Sequence, residues 1–376
     1  MTRPLHVCHV LLSLKPGGLE NGVVNVVNGL DPADFRSSVC CLQQAGEFAA
    51  RMRGTTEIVA MGLQPGNDWR LPLRLARLLR ALRVDIVHTR NAEPFFYGIV
   101  AARLAGVPVV IHSEHGRTFP EKPLRARVQR FLLSGANAAF CVSERLKQDL
   151  VRELGVSPAR FEVIHNGVDI ERFRSAPGTG DRRLSAADVV IGSVGRLAPV
   201  KNYPLLLRAM ARLPALPPSR LLLVGDGPEG PSLQALAAEL GLADRVHFAG
   251  HRDDVAQALR EMDVFVLPST SEGMSNTLLE AMAAGVAAVA SDAGGNGEII
   301  VPEVSGLLFP SADVAALAAQ LGRLISDPGL RGKLARAAAT RVKVEFSIDA
   351  MIRRYEQLYR RVWSQRHGES VSSTAH

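Results

Sequence analysis

The sequence has few aromatic residues, few cysteines and no long apolar run, and each shortage excludes a class of protein. Phe, Trp and Tyr make up 5% of the 376 residues, too few for the aromatic platforms on which nucleic-acid bases stack. The four cysteines, Cys8, Cys40, Cys41 and Cys141, form no CxxC pair. A zinc or disulfide framework is therefore not expected, and a reducing compartment fits best.

No apolar run reaches the length of about 18 residues that a transmembrane helix needs. The N-terminal apolar stretch 7–14 is interrupted by His9 and followed by Lys15 and Pro16. Since no small-residue cleavage site follows, a signal peptide is not expected. We therefore predict a cytoplasmic protein that could contact the inner face of the cell membrane peripherally.

The charge is positive and unevenly distributed. Lys and Arg outnumber Asp and Glu by 44 to 37, a net charge of +7, which favours polyanionic partners. Between Arg70 and Arg152 lie 15 basic residues and six acidic ones. The helical patterns 71–83 and 122–133 mix Arg with Leu and could lie on anionic lipid, or be packed helices with a solvated basic face. With no helix-turn-helix signature or Lys/Arg run, a nucleic-acid partner is not expected.

Short β-branched runs alternate with amphipathic helical patterns along the whole chain. The predicted strands are 6–12, 38–42, 57–60, 86–88, 109–112, 138–142 and 162–164, then 189–194, 220–224, 246–248, 264–267, 287–290 and 306–309. Helical patterns include 22–30, 71–82, 203–213, 231–240 and 311–325. Buried strands that alternate with helices indicate an α/β fold with parallel sheets covered by helices.

A polar stretch at 175–188 separates the two series of strands and is interpreted as a linker. We therefore predict two doubly wound domains, 1–174 and 175–346, that face each other across a cleft, with ligands at the carboxyl ends of the strands. The last helix, 347–364, is expected to pack back toward the N-terminal domain. The tail 365–376 is expected to be disordered.

Two predicted strand ends in the N-terminal domain carry candidate binding groups. Gly17 and Gly18 precede a helix and can bring backbone amides close to an anion or a sugar, although an ordinary turn is the alternative. His115 follows the strand 109–112 and could exchange a hydrogen bond or a proton with a hydroxyl, unless it is structural. Because His112 and His115 would project from opposite faces, a metal site is not expected.

The first strand of the C-terminal domain is followed by GRLAPVKN (195–202). Arg196 and Lys201 in this loop precede a helix, where a guanidinium, an ammonium and free amides suit a diphosphate. The alternative is a solvated basic loop. The glycines of VGDGPE (224–229) are expected to serve turn geometry.

The segment STSEGMSNTLLEAMAAG (269–285) carries two glutamates. Gly273 should keep Glu272 in a loop, while Ser275 and the next residues can cap a helix that bears Glu280 in an early turn. The two carboxylates would be offset by roughly 80° even on one helix, so they are not an acid/base pair across one bond. They could accept hydrogen bonds from two sets of hydroxyls, with the helix N-terminal amides between them suited to a phosphate; a solvated Glu on an ordinary helix is the alternative.

Together these residues resemble the retaining, nucleotide-sugar-dependent glycosyltransferases of family 4, which have the GT-B fold. The resemblance rests on HNGVD (165–169), GRLAPVKN, VGDGPE and the E-x7-E pair of Glu272 and Glu280. In the acceptor half it rests on DIVHTRN and SEHG. The sequence is most similar in character to sugar transferases of bacterial exopolysaccharide biosynthesis clusters. One departure is Gly297 in GGNGEII, where Pro is usual.

The resemblance implies roles for individual residues. Arg196 and Lys201 would bind the donor diphosphate, Glu280 would hold the ribose hydroxyls, and Glu272 would contact the transferred sugar. Gly17, Gly18 and His115 would line the sugar and acceptor side. The implied catalytic set is Arg196, Lys201, Glu272 and His115. The implied donor-binding set is Gly17, Gly18, Arg196, Lys201, Glu272, Gly273, Met274, Ser275, Asn276, Thr277, Leu278 and Glu280.

The expected reaction is transfer of a sugar from a nucleoside-diphosphate sugar to a glycan or polyprenyl-linked acceptor, with retention. No D-x-D pair lies at a predicted strand end, and Arg196, Lys201 and a helix N-terminus can stabilise the departing diphosphate, so neither a metal nor another cofactor is expected. UDP-sugars are favoured, with GDP-mannose as the other candidate donor. Two alternatives remain: a nucleotide-sugar epimerase of the same fold, and a non-catalytic nucleotide- or nucleic-acid-binding protein.

Overall fold

The computed structural model of the chain describes residues 3–116, 123–174, 188–214 and 218–368. The chain forms two compact units. Unit 1 comprises Met1–Asn166 and Asp349–His376, and unit 2 comprises Gly167–Ile348. The C-terminal segment is therefore grouped with the N-terminal one.

The division between the units differs by a few residues from the predicted one. The structure separates the units after Asn166, whereas the predicted boundary follows residue 174. The predicted linker 175–188, except for its last residue, lies outside the described residues. The last helix extends to His367 and so includes the first residues of the predicted tail, while 369–376 lie outside the described residues.

Each unit contains one parallel sheet. The strands of unit 1 are β1 (Leu5–Leu11), β2 (Phe35–Cys41), β3 (Glu57–Ala60), β4 (Ile86–Arg90), β5 (Val109–Glu114), β6 (Ala138–Cys141) and β7 (Glu162–Val163). Those of unit 2 are β8 (Val189–Val194), β9 (Ser219–Val224), β10 (Val246–Phe248), β11 (Val264–Leu267), β12 (Ala287–Ser291) and β13 (Leu307–Phe309). The prediction of two parallel-sheet α/β domains is confirmed.

Helices connect the strands in both units. They are α1 (Gly18–Gly29), α2 (Leu71–Ala81), α3 (Ala92–Ala105), α4 (Pro123–Leu133), α5 (Glu144–Leu154), α6 (Ile170–Arg174), α7 (Tyr203–Met210), α8 (Gly230–Glu239), α9 (Val255–Arg260), α10 (Asn276–Ala283), α11 (Asn296–Ile299), α12 (Val314–Ser326), α13 (Pro328–Glu345) and α14 (Ile348–His367). Short 3₁₀ turns occur at Glu47–Arg51, Pro158–Arg160, Pro199–Lys201 and Ala243–Arg245. Within the described ranges, none of these helices combines the length and the apolar character needed to cross a bilayer.

The strand order reverses once in each sheet. Unit 1 has the order β3-β2-β1-β4-β5-β6-β7, and unit 2 has β10-β9-β8-β11-β12-β13. The reversal lies between β1 and β4 in the first sheet and between β8 and β11 in the second. At such a point the loops after the two strands lead to opposite sides of the sheet and leave a crevice for a ligand. The loops after β1, β4, β8 and β11 are therefore the first places to examine.

The central strands are buried along their whole length. Every residue of β1, β4, β5 and β8 is buried, because helices and loops cover both faces of a parallel sheet. The predicted strands 57–60, 189–194, 246–248 and 264–267 coincide with β3, β8, β10 and β11. In unit 1 the buried strands also carry His9, His88 and Arg90, which is unusual for a sheet interior.

The long helix α14 packs on unit 1 through one side. It buries five residues at spacings of one to four, namely Met351, Tyr355, Leu358, Tyr359 and Val362. The ring of Tyr359 lies 5.9 Å from the ring of Phe35 at the start of β2. The helix therefore brings two tyrosines against the sheet of unit 1.

Candidate functional site

Lys201 and Glu272 meet where the strand order of unit 2 reverses. Nζ of Lys201 lies 2.6 Å from Oε1 of Glu272, and the hydroxyl of Ser269 donates to the same oxygen at 2.7 Å. The two charged side chains are 19% and 13% exposed. Because β8 and β11 are neighbours in the sheet, the loops that follow them bring together two residues 71 positions apart. The structure thus unites two of the predicted site residues.

Helix α10 begins at Asn276, four residues after Glu272, within the segment where the sequence predicts a helix start. Ser275 is its N-cap, and the serine hydroxyl accepts a hydrogen bond from the Leu278 amide at 3.3 Å. Glu272 lies in the loop before the helix, and Glu280 lies on the helix, half-buried. A helix N-terminus carries partial positive charge and attracts anions. The segment from Gly273 to Leu278 therefore offers a site for negative charge beside the Lys201–Glu272 pair.

Two glycines allow the loops of this site to approach closely, and one of them was not singled out from the sequence. Gly294, after β12, has a φ of +56°, and a Cβ there would lie 1.7 Å from the carbonyl oxygen of Glu272. Gly225, in VGDGPE, has a φ of +136°, and a Cβ there would lie 2.1 Å from the carbonyl oxygen of Gly195. Gly225 therefore serves the approach of the GRLAPVKN loop as well as its own turn.

Arg196 lies on the same loop as Lys201 but takes no part in the ion pair with Glu272. Its side chain is exposed, and no hydrogen bond or ion pair joins it to Glu272 within the described residues. Its backbone carbonyl accepts from the Ala198 amide at 2.9 Å. Arg196 is therefore a cation available at the rim of the site.

His115 follows β5 in unit 1, where its backbone and its ring are both held. The backbone amide donates to Oδ1 of Asn91 at 2.9 Å, and ring atom Nε2 lies 3.3 Å from Nη1 of Arg90. Burial and then the positive charge of Arg90 hold the pKa of His115 well below its usual range. The ring is therefore neutral at physiological pH.

His112 is a structural histidine. Its ring stacks on Phe95 with 4.0 Å between ring centroids, Nδ1 lies 3.1 Å from Oγ1 of Thr89, and Nε2 lies 3.1 Å from Oε1 of Glu114. These partners differ from those of the His115 ring. Among the described residues, no group of three or more His, Cys, Asp or Glu side chains is placed to hold a metal ion.

The loop after β1 leads directly into helix α1. The helix begins at Gly18, four residues before its predicted start, and Gly17 is an N-cap with extended backbone and no side-chain hydrogen bond. The φ of Gly17 is −172°, which any residue can adopt. What the glycine pair provides is therefore a helix N-terminus without bulky side chains at the reversal of the unit 1 sheet.

Arg90 is a functional candidate that the sequence analysis included only in the count of basic residues and in the motif DIVHTRN, without a role of its own. It is 1% exposed and ends β4, the other strand at the reversal of the unit 1 sheet. An arginine is almost never fully buried unless it is paired. The position at a strand end next to SEHG was the available signal, but nothing in the sequence distinguishes it from a solvated arginine.

The predicted basic helices form part of one face of unit 1. Helix α2 contacts α3, and α3 contacts α4. Several large apolar side chains of this region are exposed, most of all Trp69 by 83%, Leu124 by 72% and Phe131 by 76%. The outer face of this region therefore carries apolar groups as well as arginines.

Comparison with known proteins identifies the relatives of this chain. The model of the glycosyl transferases group 1 family matches residues 181–341, and the model of glycosyltransferase family 4 matches residues 16–172. The UDP-Gal:alpha-D-GlcNAc-diphosphoundecaprenol alpha-1,3-galactosyltransferase of Escherichia coli is 31% identical over 309 residues, which cover 78% of this chain and 79% of that protein. A D-inositol 3-phosphate glycosyltransferase of Mycobacterium ulcerans is 33% identical in an alignment that covers 92% of this chain and 74% of that protein.

A solved structure shows the same fold. The crystal structure of Anabaena Alr3699/HepE in complex with UDP and glucose superimposes with a TM-score of 0.84 at 22% identity, covering 95% of this chain and 100% of that one. The fold is thus of the GT-B type, with two Rossmann-like units. The extent of the match to the galactosyltransferase and the agreement of both family models lead to one assignment: the chain belongs to glycosyltransferase family 4 and is a glycosyltransferase of EC class 2.4.

Proposed function

We propose that this enzyme transfers a hexosyl residue from a nucleoside-diphosphate sugar to a lipid-linked glycan acceptor, with retention, in the synthesis of exopolysaccharide or a cell-surface glycan. The observation that carries the proposal is the Lys201–Glu272 pair at the N-terminus of α10. It supplies a cation, a carboxylate and a helix N-terminus within one small region. The cation and the helix N-terminus can bind a diphosphate, and the carboxylate can accept hydrogen bonds from the hydroxyls of the attached sugar.

The donor diphosphate takes the place of Glu272 as the ionic partner of Lys201. Arg196 adds a second cation from the rim, and the N-terminus of α10 adds amide donors. Glu272, released from the lysine, accepts hydrogen bonds from hydroxyls of the transferred sugar. Glu280, further along α10, holds the ribose hydroxyls. These roles account for the order of the residues along the loop and the helix.

The chemistry follows from the charges. As the bond between the anomeric carbon and the phosphate oxygen breaks, negative charge grows on the diphosphate, and Lys201, Arg196 and the helix N-terminus stabilise it. The acceptor oxygen forms its bond to the anomeric carbon on the side that the diphosphate leaves. The acceptor proton passes to the departing phosphate oxygen. We propose that this needs neither a metal ion nor another cofactor.

Unit 1 provides the sugar and acceptor side. Gly17 and Gly18 leave the N-terminus of α1 accessible to a polar group, and the neutral ring of His115 offers a hydrogen bond to a hydroxyl. The donor is a UDP-sugar in our proposal, ahead of GDP-mannose. In support, the E. coli relative is named for UDP-Gal and a diphosphoundecaprenol acceptor, and the Anabaena structure contains UDP and glucose.

We further propose that unit 1 contacts the cytoplasmic face of the membrane peripherally, where a polyprenyl-linked acceptor would lie. Exposed Trp69, Leu124 and Phe131 can enter the headgroup region. Arginines of α2 and α4, including Arg77 and Arg127, can face anionic lipid. The surface thus combines the two kinds of group that peripheral membrane binding requires.

The proposal is tested by transfer of labelled sugar. The full chain is incubated with UDP-galactose, UDP-glucose or GDP-mannose and a polyprenyl-diphospho-GlcNAc acceptor, with and without EDTA. The expected result is an α-linked product from one donor, formed equally in EDTA. Conversion of the donor sugar without acceptor would favour the epimerase alternative, and nucleotide binding without any turnover would favour a non-catalytic role.

A further inference from the structure

A buried hydrogen-bond network surrounds Arg90 in unit 1. Nη1 of Arg90 donates to the hydroxyl of Tyr355 at 3.1 Å and lies 3.3 Å from Nε2 of His115. Nη2 lies 3.1 Å from Nδ1 of His9. Arg90, His9 and Tyr355 are each at most 2% exposed. Residues of β1, β4 and α14 thus meet at Arg90, which in turn contacts the ring of His115.

The arginine determines which nitrogen of each histidine carries the proton. A guanidinium can only donate hydrogen bonds, so Nε2 of His115 and Nδ1 of His9 must accept. A neutral imidazole has one donor and one acceptor nitrogen. His115 therefore carries its proton on Nδ1, the atom on the other side of the ring from Arg90.

A second path reaches the same ring from the same helix. The hydroxyl of Tyr359 lies 2.7 Å from Nδ1 of His88, and Nε2 of His88 lies 2.9 Å from the hydroxyl of Ser113. That hydroxyl lies 3.0 Å from Nε2 of His115. Since Nε2 of His115 must accept, the Ser113 hydroxyl donates to it at 3.0 Å rather than to the Thr89 carbonyl oxygen at 3.4 Å. The single proton of Ser113 is then used, so His88 donates to Ser113 and Tyr359 donates to His88.

The arrangement is costly as a purely structural device. Within the described part of the chain, Nε2 of His9 and Nε of Arg90 are buried without a hydrogen-bond partner. Buried polar atoms of this kind normally find partners, and exceptions call for an explanation. Apolar residues of similar volume would fill the same space without that penalty. A role in orienting His115 explains why the groups are there.

We propose that Arg90, Tyr355 and Tyr359 are positioning residues that hold His115 as a neutral hydrogen-bond donor through its Nδ1–H. This inference rests on the proposed function, in which His115 meets a hydroxyl of the sugar or the acceptor. In that role His115 donates a hydrogen bond to the hydroxyl oxygen and removes no proton. The C-terminal helix thereby sets the chemistry of a residue more than 200 positions earlier.

The test reads the tautomer directly, without substrate. The full chain is labelled with ¹⁵N-histidine, and the His115 resonances are identified by their loss in His115→Gln. In the wild type, Nδ1 should carry the proton from pH 6 to pH 9 and Nε2 should not. In Arg90→Met the ring should exchange between both tautomers. In Tyr355→Phe/Tyr359→Phe, which keeps the rings and removes only the hydroxyls, the same mixing should occur to a smaller extent.

A second experiment measures transfer kinetics with the same variants. Transfer kcat should fall by about 10- to 100-fold in Arg90→Met, because misplacement of a positioned group by up to 1 Å has effects of this size. Binding of a nucleoside diphosphate should not change, since Lys201 and Glu272 lie in unit 2. Matched controls are Tyr97→Phe, whose hydroxyl accepts a hydrogen bond from the Asp68 amide, and Arg103→Met; both should behave like the wild type.

Several outcomes would overturn the inference. A wild-type His115 with its proton on Nε2 would contradict the inference that this nitrogen accepts a hydrogen bond from Arg90. So would an unchanged tautomer in both Arg90→Met and the double tyrosine variant. If Arg90→Met fails to fold, the double variant still decides the question. If no donor sugar is ever transferred, the proposed function is wrong. The tautomer measurement needs no substrate and therefore still tests the positioning roles.

Discussion

The ammonium of Lys201 lies 2.6 Å from a carboxylate oxygen of Glu272, and a serine hydroxyl holds that same oxygen in place. Two residues that the sequence marks separately as donor-binding groups are thus partners of one another. A negatively charged donor must therefore exchange with Glu272 at the lysine. Binding and rearrangement of the pair are coupled in the reaction we propose.

Removing the lysine should lower activity strongly. In Lys201→Met, kcat/KM should fall by about 10² to 10³, because a charge that stabilises the departing diphosphate is lost. Glu272→Gln should also lose activity. Expressed as activation free energy, the loss in the double variant should be smaller than the sum of the two single losses, since the residues share one interaction. Steady-state transfer assays on the three variants measure this.

The control for this experiment is another ion pair of unit 2. Arg323 pairs with Glu303 at 2.7 Å, with both side chains largely exposed. Arg323→Met should leave kcat/KM within about 2-fold of the wild type, because exposed pairs contribute little. Wild-type activity in Lys201→Met would refute the role given to the lysine.

Replacement of Gly294, a glycine outside the catalytic set, should lower both stability and activity for a steric reason. In Gly294→Ala the new methyl would lie 1.7 Å from the carbonyl oxygen of Glu272, at a φ of +56°. This clash can be relieved only if the loop that holds Glu272 moves. We expect a loss of about 1–3 kcal/mol in unfolding free energy from strain and a fall in kcat/KM.

Gly241→Ala separates the cost of the positive φ from the cost of the clash with Glu272. Gly241 has a φ of +68° and no atom within 4 Å of the position of a Cβ. It should show only the backbone cost, about 1 kcal/mol, with normal activity. Urea denaturation and kinetics on both variants make the comparison. Equal losses in both would mean that the contact with Glu272 does not matter.

The local parts of this site could be predicted from the sequence, and the long-range parts could not. Ser275 as a cap and Glu272 in the preceding loop follow from nearby residue types. The contact between Lys201 and Glu272 depends on β8 lying next to β11, which the residues around either one do not encode. The partner of Arg90 in α14 lies 265 residues later, so its burial was invisible in a local pattern. The need for glycine at position 294 was equally invisible, because it comes from the close approach of the loop that carries Glu272.

Acid should destabilise unit 1 through its buried histidines. Burial is the main cause that holds the pKa values of His9, His88 and His115 well below the ordinary value near 6.5, and Arg90 adds to it. The unfolded chain binds protons at these sites below pH 6.5 while the folded chain does not. Stability should therefore be constant above pH 7 and fall as the pH drops below about 6.5, by up to about 1.4 kcal/mol per pH unit for each histidine.

The groups packed around these rings do not offset the effect. Arg90 from β4 is positive, Tyr355 and Tyr359 come from α14, and the Glu114 carboxylate of β5 faces His112. Urea titrations at pH 7.5, 6.5 and 5.5 measure the slope. In His88→Gln the slope should be smaller by the contribution of one histidine. An identical slope in His88→Gln would contradict the assignment.

Membrane binding should depend on the apolar residues of unit 1 as well as on its charge. Burial of a large side chain such as Trp69 or Phe131 in the interface contributes about 1.5–3 kcal/mol, so each replacement by Ser should lower the partition coefficient about 10-fold or more. Co-sedimentation with vesicles containing phosphatidylglycerol measures this, and binding should weaken as salt rises, because the arginines are exposed. Val344→Ser in unit 2, where the valine is 71% exposed, is the matched control and should bind like the wild type. Equal binding by Trp69→Ser/Phe131→Ser and the wild type at low salt would show that this face of unit 1 does not meet the membrane.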